Sequence, residues 1–325
     1  MTGMRYRRLG ASGLVVSAVG LGCNNFGRKL TAEETAAVVH EAVDAGITFI
    51  DAADVYGTPR GTCEMFVGEA LKGRRDAVVL ATKFGMNMAA GPGDPRSEDG
   101  ARGSRRYIMT AVEDSLRRLQ TDYIDLYQFH YPDAGTPIEE TLRALDDLVR
   151  QGKVRYIGSS QFAGWQVTDA AWTAQVKGLT SFISTQQEYS WLSRRAEADL
   201  IPACLHAGVG FIPFYPLRSG LLTGVYRRGQ AAPPGTRLAT GGNGVWLENA
   251  DWDTIEALES FAAEAGVSLL DVAIGGLAAK PGVATVIAGA TSPRQVRANA
   301  RAGAWSPTAD ELARLDEITR PSLTR

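Results

Sequence analysis

Residues 47–57 read ITFIDAADVYG, an apolar run that ends in an aspartate and is followed by a polar turn. The preceding segment, 31–46 (TAEETAAVVHEAVDAG), has the spacing of an amphipathic helix, with Thr31 and Glu34 as a capping box. We therefore predict a helix followed by a short buried strand, Thr48–Asp51, because its apolar residues do not alternate with polar ones. This unit decides the fold, since the same alternation recurs along the chain.

Seven further apolar runs of similar length predict seven further strands, with helix-like segments between them. A strand followed by a helix, eight times over about 300 residues, is typical of a parallel sheet with right-handed crossovers. The predicted strands are Ala18–Gly22, Thr48–Asp51, Val78–Thr82, Ile124–Phe129, Val154–Gly158, Phe182–Thr185, Gly210–Phe214 and Thr285–Ile287. The other predicted helices include Tyr107–Leu119, a segment opened by Thr136 and Pro137, and Asp251–Ala265.

Closing eight such units gives an α/β fold with one (β/α)8 TIM barrel, whereas splitting them gives two doubly wound halves. We favour a single barrel domain over residues 1–325, because no Pro-, Gly- or Ser-rich linker marks a boundary in mid-chain. An N-terminal β-hairpin, Arg5–Leu9 with Leu14–Ser17, is predicted ahead of the first barrel strand. Two long loops, 86–106 and 217–248, are expected at the C-terminal face, and loops of that length are usually functional covers or poorly ordered.

The composition argues against several classes of protein. The 325 residues include 34 basic and 36 acidic side chains, so we expect no general affinity for nucleic acid or for an anionic membrane. Three cysteines without CxxC spacing and three histidines without HxH or HxxxH spacing predict neither a disulfide framework nor a metal site. The apolar-leaning stretch 14–23 is too short to span a bilayer, and we expect a cytoplasmic protein.

Polar residues follow the predicted barrel strands, and one set of them combines a carboxylate, a phenol, an ammonium and an imidazole. Asp51 and Tyr56 follow the second barrel strand, Lys83 the third and His130 the fourth. Each residue alone is typical of the caps and loop ends of any barrel. Because active sites of such barrels lie at the C-terminal ends of the strands, we expect these four side chains to meet there.

These four groups suit the delivery of a proton to a carbonyl oxygen. An ammonium about 4 Å from a phenol stabilises the phenolate by up to ~4 kcal/mol at an effective dielectric constant of ~20, so Lys83 is expected to lower the pKa of Tyr56. Asp51 balances the charge of Lys83, and His130 is expected to orient the carbonyl group. No side chain supplies hydride, so a nicotinamide or flavin cofactor is implied.

The motifs around these residues resemble those of the aldo-keto reductase superfamily, most closely its bacterial branches, which are also similar to potassium-channel β subunits. The segment 47–57, with Glu64 after it, resembles the family signature. Further similar blocks are ATKFG at 81–85, YIDLYQFHYPD at 123–133, KVRYIGSSQF at 153–162, QQEYS at 186–190, PFYPLRSGLLTG at 213–224 and GATSPRQVRAN at 289–299. The resemblance covers nearly the whole chain in order.

The resemblance implies a role for each matching residue. Asp51, Tyr56, Lys83 and His130 match the family's catalytic tetrad, and a small-molecule carbonyl substrate and NADPH, with NADH as the alternative, are implied. The residues it places around the cofactor are Ser160, Gln161 and Gln186 at the carboxamide, Phe214 on the ring, Leu217, Ser219 and Leu222 at the pyrophosphate, and Gly289, Thr291, Gln295 and Asn299 at the adenosine end. The residues expected to line the substrate pocket include Asn24, Phe84 and Tyr131.

Three positions depart from the family pattern. Gln161 stands where the family usually has Asn, and Phe214 where Tyr or Trp is common. Gly289 replaces a lysine that many members use for the adenosine phosphate, which weakens the case for NADPH over NADH. The sequence offers Arg237, Arg294 and Arg297 as alternative phosphate partners.

Two functions remain open at this level. The first is an enzyme that reduces aldehydes and ketones with NADPH, in which Tyr56 is the general acid. The second is a nucleotide-binding, redox-sensing module similar to a channel β subunit, in which turnover is incidental. A Rossmann GxGxxG fingerprint and a hydrolase GxSxG motif are both absent from the chain, so neither of those classes competes.

Overall fold

The computed structural model describes residues 3–89, 101–239 and 245–320. It contains an eight-stranded parallel sheet and a two-stranded antiparallel hairpin. The strands are β1 (Tyr6–Arg8), β2 (Val15–Ser17), β3 (Val19–Gly22), β4 (Phe49–Asp51), β5 (Val79–Phe84), β6 (Ile124–Phe129), β7 (Val154–Ser160), β8 (Phe182–Glu188), β9 (Gly210–Phe214) and β10 (Val286–Gly289).

The parallel strands form the predicted (β/α)8 barrel. They follow one another in chain order from β3 to β9, and β10 lies beside β3. Closure occurs between β9 and the segment before β10, where Phe211 donates its N–H to Gly282 and accepts a hydrogen bond from the N–H of Ala284, both at 2.9 Å. The predicted hairpin is β1 paired with β2, and its strands lack Arg5, Leu9 and Leu14 of the predicted ranges.

Helices follow the barrel strands and pack against them. They are α1 (Ala32–Asp44), α2 (Thr62–Ala70), α3 (Arg105–Leu119), α4 (Ile138–Arg150), α5 (Gly164–Lys177), α6 (Leu200–Ala207), α7 (Val245–Glu248), α8 (Trp252–Glu264), α9 (Leu269–Asp271, continued by a π-helical segment Val272–Gly276), α10 (Pro293–Ala302) and α11 (Ala309–Ile318). Short 3-10 segments lie at Arg75–Ala77, Arg195–Glu197, Arg218–Thr223 and Arg237–Ala239. Within the described ranges no helix is both long and apolar enough to cross a membrane.

The structure confirms one predicted helix end and corrects two others. Thr31 and Glu34 form the expected capping box of α1. By contrast, α3 begins two residues before Tyr107, and α4 has Pro137 rather than Thr136 at its cap. The Thr136 hydroxyl instead donates to Asp133 at 2.7 Å.

Four strands continue past the predicted ends, by two or three residues. β5 includes Lys83 and Phe84, β7 includes Ser160, and β8 and β10 reach Glu188 and Gly289. Parallel pairing continues at these positions, so the polar residues belong to the ladder. The prediction from apolar runs ends each strand where polar residues begin. In this barrel, the polar residues at the strand ends continue the strands and form the C-terminal rim.

The two predicted loops contain more structure than expected where they are described. The first is shortened because α3 starts at Arg105, and its residues 90–100 lie outside the described residues. The second contains the helical segments Arg218–Thr223, Arg237–Ala239 and α7, while its residues 240–244 lie outside the described residues.

The hairpin covers the N-terminal end of the barrel. Leu9 and Val16, from the hairpin arms, pack in one buried cluster with barrel residues such as Phe49, Leu126 and Ile212. All of these side chains are fully buried. Apolar side chains therefore fill the N-terminal end of the barrel interior, and the polar side chains lie at the C-terminal end.

Removing one ring from this interior tests the packing. Phe49→Ala is expected to lower the free energy of unfolding by about 3–5 kcal/mol, because it leaves a cavity between strands that cannot collapse. Urea unfolding followed by circular dichroism measures the change. Val15→Ala, at a half-exposed position of the same hairpin-and-barrel end, is the control and should cost much less. Equal losses in the two variants would contradict the packing described here.

Candidate active site

A buried ion pair joins two neighbouring strands at the C-terminal end of the barrel. Lys83 Nζ on β5 donates to Asp51 Oδ2 on β4 at 2.6 Å and to the carbonyl oxygen of Ala52 at 2.9 Å. Burial lowers the pKa of Lys83, but the charge and hydrogen bond of Asp51, with a contribution from Tyr56, hold it above its ordinary value. The ammonium therefore stays protonated in the interior.

Two amides complete the environment of Asp51. Gln128 Nε2 and Gln186 Nε2 donate to its Oδ1 at 3.0 and 3.1 Å, and Gln186 Nε2 also lies 3.3 Å from Gln128 Oε1. The network links strands β4, β5, β6 and β8. The sequence analysis missed Gln128, although the signal was present, because it is a polar residue inside an apolar strand two positions from Leu126, which faces the interior.

Glu64, the last residue of the signature, supports the strand that carries the lysine. It is fully buried on α2 and accepts a hydrogen bond from the Thr82 hydroxyl at 2.6 Å. Its other oxygen accepts from Arg118 Nε on α3 at 2.7 Å. Since Thr82 directly precedes Lys83, this buried carboxylate fixes β5 from the helix side.

The Tyr56 ring lies over the ion pair. Lys83 Nζ is 5.1 Å from the centroid of the ring, and the His130 ring meets it edge-on with a centroid distance of 5.9 Å. Burial raises the pKa of Tyr56 to about 12, and the charge of Lys83 opposes this rise. The expectation that Lys83 brings the pKa below its ordinary value is therefore wrong, because the desolvation of the phenolate outweighs the attraction of the ammonium.

His130 is a neutral imidazole in this site. Burial, reinforced by the charge of Lys83, lowers its pKa well below the ordinary value. The ring stacks on Tyr131 with a centroid distance of 5.4 Å. Its Nδ1 is buried and has no hydrogen-bond partner within the described part of the chain. A neutral ring in this place is suited to hydrogen bonding with an uncharged ligand group.

A cavity of about 1630 Å³ opens above these residues. It runs from the tetrad across the ends of β8 and β9 to the start of α10. The predicted site residues on its wall are Asn24, Asp51, Tyr56, His130, Tyr131, Ser160, Gln161, Gln186, Phe214, Leu217, Ser219, Gly289, Thr291, Gln295 and Asn299. The structure thus brings residues from all parts of the chain to one continuous surface.

Three predicted site residues are not on the wall of this cavity. Lys83 is fully buried beneath the Tyr56 ring, where it contacts Asp51. Phe84 is fully buried, and its ring packs on Tyr127 and Phe129 with centroid distances of 4.6 and 5.0 Å. Successive side chains of a strand point to opposite faces, so Phe84 points to the helices because Lys83 points to the interior. Leu222 is also fully buried, packed in the hydrophobic core beneath the loop.

At one end of the cavity, the wall carries the side-chain amides of Gln161 and Gln186, and this end fits a nicotinamide carboxamide. Gln186 Nε2 donates to Asp51, which leaves the side-chain amide oxygen of Gln186 as an acceptor. The Ser160 hydroxyl donates to the backbone carbonyl oxygen of Gln186 at 3.1 Å. Gln161, also on the cavity wall, donates from its Nε2 to the Tyr131 hydroxyl at 2.7 Å. Its side chain therefore connects the predicted cofactor and substrate sides.

The other end fits the phosphate-bearing half of a dinucleotide. Thr291 donates from its N–H and its hydroxyl to Gln295 Oε1, at 2.7 and 3.1 Å, at the N-terminus of α10. Arg294 and Arg297 both line the cavity here, as does Arg237 from the long loop. Helix N-termini and guanidinium groups favour bound anions, so the charge distribution matches a dinucleotide laid along the cavity.

Fold and site together define a (β/α)8-barrel oxidoreductase with a Tyr–Lys–Asp–His centre. The model of the aldo/keto reductase family matches residues 18–320, and the chain belongs to this family. Members of the family generally bind NAD(P)H, usually NADPH.

Similar curated proteins cover almost the full chain. This chain is 37% identical to a probable voltage-gated potassium channel subunit beta of Oryza sativa subsp. japonica, over 92% of this chain and 91% of that protein. It is 36% identical to the uncharacterized oxidoreductase YrpG of Bacillus subtilis, over 97% and 96%. It is 32% identical to the L-glyceraldehyde 3-phosphate reductase of Escherichia coli K12, over 97% and 92%.

The buried Lys83–Asp51 ion pair leads to a prediction about the stability of the protein. Asp51→Leu leaves the Lys83 ammonium buried without a counter-charge and is expected to lower the free energy of unfolding by about 3–5 kcal/mol. The double variant Asp51→Leu/Lys83→Met is expected to lose clearly less, since no unpaired charge remains. Urea unfolding of Asp51→Leu, Lys83→Met and the double variant measures this coupling, and losses that add in the double variant would contradict a mutually dependent pair.

The protonation state of Tyr56 makes a second prediction. Because burial raises its pKa to about 12, Tyr56 is expected to contribute no tyrosinate absorbance in the free protein until the pH approaches that value. The ultraviolet difference between the wild type and Tyr56→Phe, followed during alkaline titration, isolates this group. A difference band that titrates below the ordinary tyrosine value of about 10 would show that Lys83 outweighs burial after all.

Proposed function

We propose that this protein reduces aldehydes and ketones to alcohols with NADPH, and that Tyr56 is the general acid. The observation that carries the proposal is the buried Lys83–Asp51 pair directly beneath the Tyr56 ring, with neutral His130 beside it, at the floor of a dinucleotide-sized cavity. A bound reduced nicotinamide supplies the hydride for the carbonyl carbon.

The residues of the chain then handle the proton and the developing charge. As negative charge grows on the carbonyl oxygen, the Tyr56 hydroxyl gives it a proton, and the resulting phenolate faces the Lys83 ammonium. That ammonium is already charged and held in place by Asp51, so its response needs little reorganisation. Neutral His130 donates a hydrogen bond that orients the carbonyl oxygen. The raised pKa of Tyr56 keeps its proton in place until the oxygen becomes basic.

The cofactor-binding assignments rest on position in the cavity. Gln186 and Ser160 are proposed to hold the carboxamide, and Phe214 to pack on the nicotinamide ring. Leu217 and Ser219 are proposed to line the pyrophosphate. The remaining group, proposed for the adenosine end, is Gly289, Thr291, Gln295 and Asn299.

The choice between NADPH and NADH depends on a partner for the 2′-phosphate. We assign this role to Arg294, because Arg297 is in an ion pair with Glu41 on α1 and the Arg237 guanidinium lies over the Tyr215 ring. Arg294 sits in the first turn of α10, next to the N-terminal N–H groups that favour an anion. The replacement of the usual family lysine by Gly289 therefore does not abolish recognition of the 2′-phosphate, because Arg294 supplies the cation.

Removing this guanidinium tests the assignment. Arg294→Gln is expected to raise the Kd for NADPH about tenfold while changing the Kd for NADH little, since one charge-assisted hydrogen bond is worth about 1.5–3 kcal/mol. Fluorescence titration measures both constants. Arg297→Gln, the matched control on the same helix, is expected to have a smaller effect. A parallel loss for NADPH and NADH would overturn the assignment.

Tyr56→Phe tests the reaction itself. Loss of the general acid is expected to lower kcat for aldehyde reduction by about 10²–10⁴-fold, with NADPH binding retained, because the ring still packs in place. The readout is the absorbance of NADPH with a panel of aldehydes. Tyr6→Phe, on the hairpin at the opposite end of the barrel, is the matched control. Undiminished turnover in Tyr56→Phe would refute the mechanism.

A second candidate is a nicotinamide-nucleotide-binding regulatory module. The relatives from Oryza sativa and Arabidopsis thaliana that are named as probable channel β subunits favour it. The two functions share the cavity and differ in turnover. Steady-state reduction of aldehydes by the wild type favours the enzyme, whereas tight NADPH binding without turnover favours the regulatory module.

A further inference from the structure

Gln128 is a buried glutamine between the catalytic ion pair and the amide on the cofactor side of the cavity. It lies on β6 in register with Lys83 on β5, and its side chain is fully buried. A buried amide is costly unless its donor and acceptor groups have partners. Gln128 has a partner for its Nε2 in Asp51 and a partner for its Oε1 in Gln186, and both lie on other strands.

The side-chain amide of Gln186 is held from two sides. Its Nε2 donates to Asp51 Oδ1 at 3.1 Å and lies 3.3 Å from Gln128 Oε1, so each of its two N–H bonds has an acceptor. A half-turn of this amide would bring its oxygen against the oxygens of Asp51 and Gln128, where three acceptors would meet. The amide oxygen of Gln186 is therefore kept for a ligand in the cavity, whose wall includes Gln186.

Gln128 also holds the carboxylate of Asp51. Its Nε2 donates to Asp51 Oδ1 at 3.0 Å, while Oδ2 accepts from Lys83 Nζ at 2.6 Å. Donors on both oxygens fix the rotation of the carboxylate, and the Lys83 ammonium stays beneath the Tyr56 ring. One amide therefore orients two groups, the carboxylate of the ion pair and the amide at the cofactor end.

The neighbouring strand leaves room for the glutamine side chain. Gly158 on β7 is the register partner of Gln128. A Cβ at Gly158 would lie 3.3 Å from Gln128 Cγ and 2.6 Å from the Ser184 hydroxyl oxygen, so a side chain there would press on the glutamine. The position of Gln128 is therefore set by packing as well as by hydrogen bonds.

We propose that Gln128 is a positioning residue that makes the site selective for a nicotinamide carboxamide and holds Asp51 for catalysis. Because Gln128 keeps the Gln186 oxygen available to the cavity, the site favours a ligand group with an N–H donor. A carboxamide has such a donor and a ketone does not. The inference rests on the proposed reductase function, so one of its tests is a binding measurement that needs no turnover.

The selectivity is tested with NADP⁺ and its 3-acetylpyridine analogue, in which a methyl ketone replaces the carboxamide. In calorimetry, the wild type is expected to have a Kd about tenfold lower for NADP⁺, because the analogue leaves the Gln186 oxygen without a donor. Gln128→Met, which has a similar length and no amide, is expected to reduce this preference to about twofold. Gln175→Met, at an exposed position of α5, is the matched control and should keep the full preference.

The same variant separates catalysis from substrate binding. In Gln128→Met, kcat for benzaldehyde is expected to fall about tenfold, because Asp51 loses a donor, while KM for benzaldehyde changes less than about twofold. An equal loss of affinity for NADP⁺ and the analogue in Gln128→Met would indicate a packing role and overturn the proposal. A wild type without a preference for NADP⁺ would overturn it as well.

A carboxyl group at position 128 gives a second signature. In Gln128→Glu, the neutral acid donates an O–H to Asp51 as the amide does, whereas the ionised form places two carboxylates side by side. The kcat of this variant relative to wild type is therefore expected to be near one at low pH and to fall about tenfold as the pH rises. A ratio that does not depend on pH would overturn the proposal. The titratable side chains around position 128 are Asp51 on β4, Tyr56 on the following loop, Lys83 on β5 and His130 at the end of β6.

The outcomes for Gln128 and for the reductase function are distinguishable. A wild type that prefers NADP⁺, loses this preference in Gln128→Met and reduces no aldehyde supports the role of Gln128 in cofactor binding and refutes the reductase function. A wild type that reduces aldehydes, with Gln128→Met unaltered in both kcat and cofactor preference, supports the reductase function and overturns the role of Gln128.

Discussion

The ion pair between Lys83 and Asp51 is the interaction on which the active site depends. A fully buried ammonium is stable only if its charge is balanced, and Asp51 does this with its second oxygen held by two amides. Four strands contribute to that arrangement. The free-energy cost of burying the two charges is therefore offset by interactions of the whole barrel. In the mechanism that we propose, the pair gives Tyr56 a fixed positive charge to face when it loses its proton, so that a phenol with a raised pKa can serve as the acid.

The barrel explains why residues so distant in sequence share one cavity. Closure between Phe211 and the segment at Val283 brings all eight strand ends to a single rim. The hairpin seals the opposite end with Leu9 and Val16, so the interior is apolar below and polar above. Alternation along the strands then decides which side chains face inward, and Lys83, Gln128 and His130 occupy inward positions near the rim.

The sequence predicts the fold well because local signals agree with it. The capping box at Thr31 and the apolar runs locate the first units, and the motif residues at strand ends locate the tetrad. Other features depend on the folded environment. Phe84 is predicted to line the pocket but faces away from it, because Lys83 faces the interior and neighbours in a strand face opposite ways. The net pKa of Tyr56 reflects desolvation, and the engagement of Gln161 by Tyr131 requires two loops to meet; no short motif encodes either.

The most direct test of this account is the protonation of Lys83 itself, measured by nitrogen-detected NMR of its Nζ during a pH titration of the free protein. The account predicts that the ammonium remains charged beyond the ordinary lysine value of about 10.4, since Asp51 outweighs burial. A neutral amine at physiological pH would contradict it, because Tyr56 would then have no positive charge to face and the pair could not organise the site.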